Sequence, residues 1–267
     1  MKKLTIFAVV IAALAFTACG GKKNVNNVEQ ADSVKTFEQQ QIEAKIKMEL
    51  DSLAAELGKL KKLPFLQDGE NGLQLTEQEK QVKPDYLLSP SVAENATTLA
   101  EKYRALSALS VDKQIAAMYE MPTSDYDAAI AKLVADINDP SLKVIEDAST
   151  IYETGQKLYD AMNENGRINN FWQIAGASLT EEIFAISQNA DKFLSVFDDK
   201  SASEVTYRIV LLSDAANRLA LYDSEFEPVA KAVEALSPLN AISLEQLKTQ
   251  LAECKDKIAE ARASLVK

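Results

Sequence analysis

The chain has 267 residues, with 40 Asp and Glu against 29 Lys and Arg, a net charge of −11 and no histidine. The acidic excess argues against nucleic acid as a partner and against docking by charge onto anionic lipid. The missing imidazole excludes HExxH zinc sites, carboxylate–histidine di-iron bundles, haem held by a proximal histidine and Ser-His-Asp hydrolysis.

The first segment, MKKLTIFAVVIAALAFTACGGKK, starts with Lys2 and Lys3 and runs apolar from Leu4 to Phe16. At about 1.5 Å per residue such a run reaches roughly 20 Å as a helix, short of the ~30 Å hydrocarbon core. It therefore reads as a secretory signal and not as a permanent span. Its end, Phe16-Thr17-Ala18-Cys19, resembles the lipobox of bacterial lipoproteins, with phenylalanine where leucine is usual. In those proteins the signal is cut before a cysteine that carries diacylglycerol. The resemblance covers residues 1–20. It implies cleavage between Ala18 and Cys19, lipidation of Cys19, and attachment to the membrane through several acyl chains. Gly20 stands where an Asp favours inner-membrane retention, so the implied address is the outer membrane, with the body facing the periplasm. The run after the cysteine is Lys22-Lys23, not the acidic run used by some surface-exported lipoproteins.

Residues 19–32, with Asn24, Asn26 and Asn27, read as a flexible tether, and residues 33–267 as one helical domain. Glycine and proline are scarce and β-branched alternation is nearly absent. The expected fold is all-α, an antiparallel multi-helix bundle with a long N-terminal helix over 33–63. Ile46, Leu50, Leu53, Leu57 and Leu60 repeat at heptad spacing along that helix, and Pro64 stops it. Residues 64–90 form the longest irregular stretch. Asp68 to Gly72 with Glu79 faintly matches a calcium loop, but Leu73 stands where the loop requires glycine, so no metal is expected. Thr76 and Glu79 instead form a capping box.

The main bundle spans 91–267. Ser91 with Glu94 predicts a helix start, and Ser110 a cap on a second helix ending before Pro122. Further helices are predicted from Ser124 to Asn138, Ser141 to Asn163, Ile168 to Phe197 and, capped by Ser201 with Glu204, to Tyr222. Pro228 suits the first turn of a short helix to Leu236. Ser243 with Gln246 opens the last, whose seam is Leu244, Leu247, Leu251, Cys254, Ile258, Ala261 and Leu265. Two blocks share a loose pattern: Tyr103-Arg104, Tyr119 and Tyr126-Asp127 against Tyr207-Arg208, Tyr222 and Phe226-Glu227. No fixed period supports a duplication.

The chemistry-bearing motifs are thin. Ser110-Val-Asp-Lys113 matches SxxK, and so does Ser264-Leu-Val-Lys267; the SDN and KTG elements that serine–lysine acylases also need are absent. Glu181-Glu182 point about 100° apart on a helix and read as part of a solvated face. Arg104 and Arg208 read as ion-pair partners. Cys254 sits on an apolar seam and reads as inert; with Cys19 lipidated, no internal disulfide can form. Phe171-Trp172, followed by Gly176, Ala177 and Ser178, is the most distinctive segment. It suits close helix packing in the core, or a groove where an aromatic ring meets a ligand. No catalytic residue and no cofactor are expected. The expected function is a lipid-anchored, non-enzymatic interaction or assembly module with an envelope protein as partner; the alternative is a small-molecule or glycan-binding lipoprotein using Phe171 and Trp172.

Overall fold

The structure, a computed structural model, describes residues 37–69, 72–146 and 151–266. The signal segment, Ala18, Cys19 and the tether lie outside the described residues. Among the described residues there is no strand, and no helix is long and apolar enough to cross a membrane. Among the described residues, eight helices of ten residues or more build an all-α bundle. They are α1 (Phe37–Leu57), α2 (Leu99–Met118), α3 (Ser124–Ile137), α4 (Ile151–Glu164), α5 (Ile168–Gln188), α6 (Asp199–Ala220), α7 (Glu227–Leu236) and α8 (Leu244–Leu265).

The bundle is organised around α5. Every residue from Phe171 to Ser187 is buried, and α2, α4, α6, α7 and α8 all pack on it. Neighbours on every side make this helix the centre of the bundle, and the polar residues it carries are buried with it. Gly176 and its small neighbours let α7 approach closely. α1 runs antiparallel to α6, since Glu49 meets Arg218 and Glu56 meets Tyr207, and Tyr159 on α4 packs on Phe171 and Trp172 of α5. The non-sequential pair α2 and α5 run parallel: Arg104 bonds Gln173, Ser107 bonds the Ile174 carbonyl, and Asp112 reaches Glu181.

The long first helix packs on the body, against α4 and α6. Leu50, Ala54 and Leu57 are buried, and Ile46, Leu53 and Leu60 are partly so. Arg218 on α6 pairs with Glu49, and the Tyr159 hydroxyl donates to Asp51. This helix ends at Leu57, not at Leu63. Gly58 marks the exit, where the chain crosses α4: a β-carbon there would sit 3.0 Å from the Gln156 Cβ.

Several starts differ from the sequence expectation. Ser91 makes no side-chain cap, and only one turn, Val92–Asn95, follows it. The long helix begins at Leu99 under a capping box of Thr98 and Glu101. It continues through Ser110, whose hydroxyl donates to the Leu106 carbonyl one turn back and caps nothing. Of the helix expected from 141 to 163, Lys143–Glu146 and Ile151–Glu164 are helical, and residues 147–150 lie outside the described residues. The helix from Ile168 stops at Gln188, and Asp198, not Ser201, caps α6 by accepting from the Ser201 amide. The Thr76–Glu79 box, the Pro228 first turn and the Ser243–Gln246 cap are all present.

Candidate functional site

The polar residues that α5 carries into the core have to be satisfied there, because an unpaired buried charge is costly. Gln173 is bonded by Arg104 and donates to the Glu225 carbonyl, and Thr180 donates to the Gly176 carbonyl. Glu181 and Glu182 are 1% and 0% exposed, so the expectation of a solvated face is overturned. The cause is α8: Arg262 grips Glu181 in a bidentate pair, with Nε to Oε2 at 2.9 Å and Nη2 to Oε1 at 2.8 Å. Arg262 also lies 4.2 Å above the Phe184 ring. Glu182 accepts from Ser178 at 3.3 Å.

A second carboxyl joins this pair. Asp112, on α2, is fully buried, and its Oδ2 lies 3.5 Å from Arg262 Nη2. Burial, then the charge of Glu181, push the Asp112 carboxyl well above its ordinary range; burial raises Glu181 as well, against the pull of Arg262. Over this cluster runs a strap, residues 82–90, held by its backbone. Asp112 Oδ2 accepts from the Leu88 amide at 2.6 Å, the Tyr126 hydroxyl of α3 donates to the Leu88 carbonyl at 2.9 Å, and Arg262 Nη2 donates to the Tyr86 carbonyl at 3.1 Å. The cluster therefore joins α2, α3, α5, α8 and the strap at one point. Such a group of buried charges is a functional-site candidate, and ion-pair networks that only hold a fold have the same signature.

Phe171 and Trp172 are 0% and 1% exposed, with Tyr159 packed edge-on against both. The rings form a core cluster and not a groove wall, so a ligand would have to displace packed side chains to reach them. Cys254 is buried and unpaired on the α8 seam, as its spacing implies. Arg104 donates to the Leu265 carbonyl and Arg208 to the Lys61 carbonyl, so each ties a chain segment to the bundle through a backbone group. Lys62 Nζ donates to Asp68 at 2.8 Å, and Glu79 closes its capping box by accepting from the Thr76 amide. Among the described residues no three His, Cys, Asp or Glu side chains come together as metal ligands.

The surface carries one further feature. Of the seven large apolar side chains most open to solvent among the described residues, Tyr207, Val210, Leu221 and Tyr222 lie on α6 or directly after it, and Met48 lies on the neighbouring α1. At 3.6 residues per turn, Tyr207, Val210 and Leu221 fall within about 60° of arc. Comparison with protein-family models, curated proteins and solved structures finds no significant match.

Proposed function

We propose that the chain is a lipid-anchored protein of the bacterial cell envelope, held at the outer membrane through Cys19, whose helical body acts as a non-enzymatic module that binds another envelope protein. The anchor rests on the Lys2-Lys3 start, the short apolar run and the Phe16–Cys19 resemblance. The binding role rests on one observation, the exposed large apolar side chains on the outer side of α6. Val210 is 58% and Leu221 78% exposed on one side of the helix, with the ion-paired Asp214 and Arg218 between them, so this side offers apolar contacts around a charged pair. The buried polar cluster fits the same reading as internal bracing, since it lies under the strap and away from that side of α6.

Growing the source cells with an alkyne-labelled fatty acid tests the anchor. The wild-type chain takes up label and fractionates with the outer membrane, and Cys19→Ser does neither. Label-free wild-type chain in the soluble fraction would remove the anchor from the proposal.

A further inference from the structure

Asp112 presents an unresolved oxygen. Oδ2 accepts from Leu88 and faces Arg262, but Oδ1, fully buried, receives no N–H or O–H donor. The Glu181 carboxyl lies beside it, sharing Arg262 Nη2 with Asp112 at 2.8 Å against 3.5 Å. Two ionised carboxylates cannot hydrogen-bond each other, and two negative charges beside one guanidinium leave the buried cluster with an uncompensated charge. One proton removes both problems: the cluster becomes neutral and Asp112 Oδ1 becomes a donor.

We propose that Asp112 and Glu181 hold a single proton between them, and that this proton keeps the strap over residues 82–90 seated on the bundle. The groups facing the pair are Arg262 from α8, Tyr126 from α3, and Tyr86 from the strap with Asp85 beside it. Arg262 is the only cation among them, and Glu181 already occupies its Nε/Nη2 edge. Glu182, next along α5, accepts from Ser178. Loss of the proton sets Asp112 against Glu181 at the point where the Leu88 amide and Tyr86 carbonyl are held. The strap is the cheapest element to release, since it has no helix of its own over these residues. The device is a proton-held latch, closed when the pair is protonated and opened by alkali.

The purified full-length chain and two variants test this. Infrared spectroscopy of the wild type at pH 7 shows the carbonyl stretch of a protonated carboxyl. Asp112→Asn lacks that band yet keeps the latch, because the amide nitrogen takes the donor's place. Glu181→Gln lacks the band because Asp112 then ionises against Arg262. Chymotrypsin cleavage after Tyr86, inside the strap, reads its release. As pH rises from 6 to 9, the wild-type rate relative to Asp112→Asn climbs by up to about tenfold per pH unit once the proton begins to leave. Absence of the band in the wild type, its survival in Asp112→Asn, or a cleavage ratio that stays constant with pH would each overturn the proposal. Should Asp112→Asn not fold, the band in Glu181→Gln and the pH titration of the wild-type band decide it.

Discussion

Gly176 of α5 meets Val229 of α7 with no room for a methyl group: a β-carbon on the glycine would come within 2.4 Å of the Val229 Cγ1. Both residues are inside the core, Val229 at 1% exposure. Gly176→Ala therefore forces α7 away from the central helix, at a cost of roughly 1–3 kcal/mol, the usual range for overpacking. Urea unfolding measures it. Val229→Ala on the same background removes the obstructing methyls and recovers part of the loss. Additive costs in the double variant would show that the two residues do not meet.

Arg262 is the only cation among the groups gathered at Asp112 and Glu181. Arg262→Met leaves Glu181 buried without its partner, and removing one member of a buried pair costs about 3–5 kcal/mol. Arg262→Lys is not a conservative replacement, because an ammonium cannot grip both Glu181 oxygens while also reaching the Tyr86 carbonyl. It is expected to fall between wild type and Arg262→Met in chemical denaturation. Lys matching the wild type would contradict the bidentate geometry.

Stability against pH has two limbs of opposite sign. Glu101 is held at about 2 by bonds from Thr98 and Thr97, and Glu79 at about 2 by Thr76. A depressed carboxyl contributes stability above its unfolded value of about 4.3, lost as pH falls through the folded one. The body should therefore weaken between about pH 4 and 2. Asp112 and Glu181 are raised, so their contribution is complete below the ordinary carboxylate range and declines as pH rises through their folded values. Unfolding free energy is thus expected to peak on the acidic side of neutrality. Thr97→Ala removes the hydroxyl that donates to Glu101 and flattens only the acid limb, and Asp112→Asn flattens only the alkaline one. A curve that rises steadily toward pH 9 would contradict the second limb.

Trp172 is buried with its indole N–H unpartnered. Trp172→Ala should cost about 3–5 kcal/mol through the cavity it opens. Trp172→Phe removes an unsatisfied donor, worth about 1–3 kcal/mol. It is expected to cost far less, although it also deletes ring volume. Thermal unfolding of the two variants side by side checks the order. A Trp172→Phe variant as unstable as Trp172→Ala would mean that the indole N–H is satisfied in the folded chain.

What the sequence made legible was local. The α8 seam from Leu247 to Leu265 is buried at its expected positions, and Ser243 with Gln246 caps it, because both signals depend only on residues within a turn or two. The boxes at Ser91 and Thr98 are equally good as strings, yet only the second opens a long helix. Asp198 likewise displaced Ser201 by taking both its amide and its hydroxyl. Ser110 looked like a cap and is a helix interior residue bonded to its own preceding turn. The carboxyl cluster was out of reach for a different reason. Glu181 is buried because Arg262, 81 residues later, lies beside it, and no local pattern records that contact. The one available hint was the surrounding stretch, Asn169 to Ser187, where Glu181 and Glu182 stand as the only charges in an otherwise neutral helix.

The binding role of the outer side of α6 is the part of the proposal with the most consequence, and one measurement reaches it directly. A photo-crosslinking amino acid at Val210 or at Leu221, in intact cells of the source organism, is activated and the adducts are identified by mass spectrometry. A matching probe at Lys132 on α3 serves as the control. The proposal predicts one envelope protein captured in near-stoichiometric amount from both α6 positions and absent from the control, with Leu221→Glu abolishing capture at Val210 while leaving the fold intact. Equal, diffuse labelling from all three positions would contradict it and leave that side without a partner.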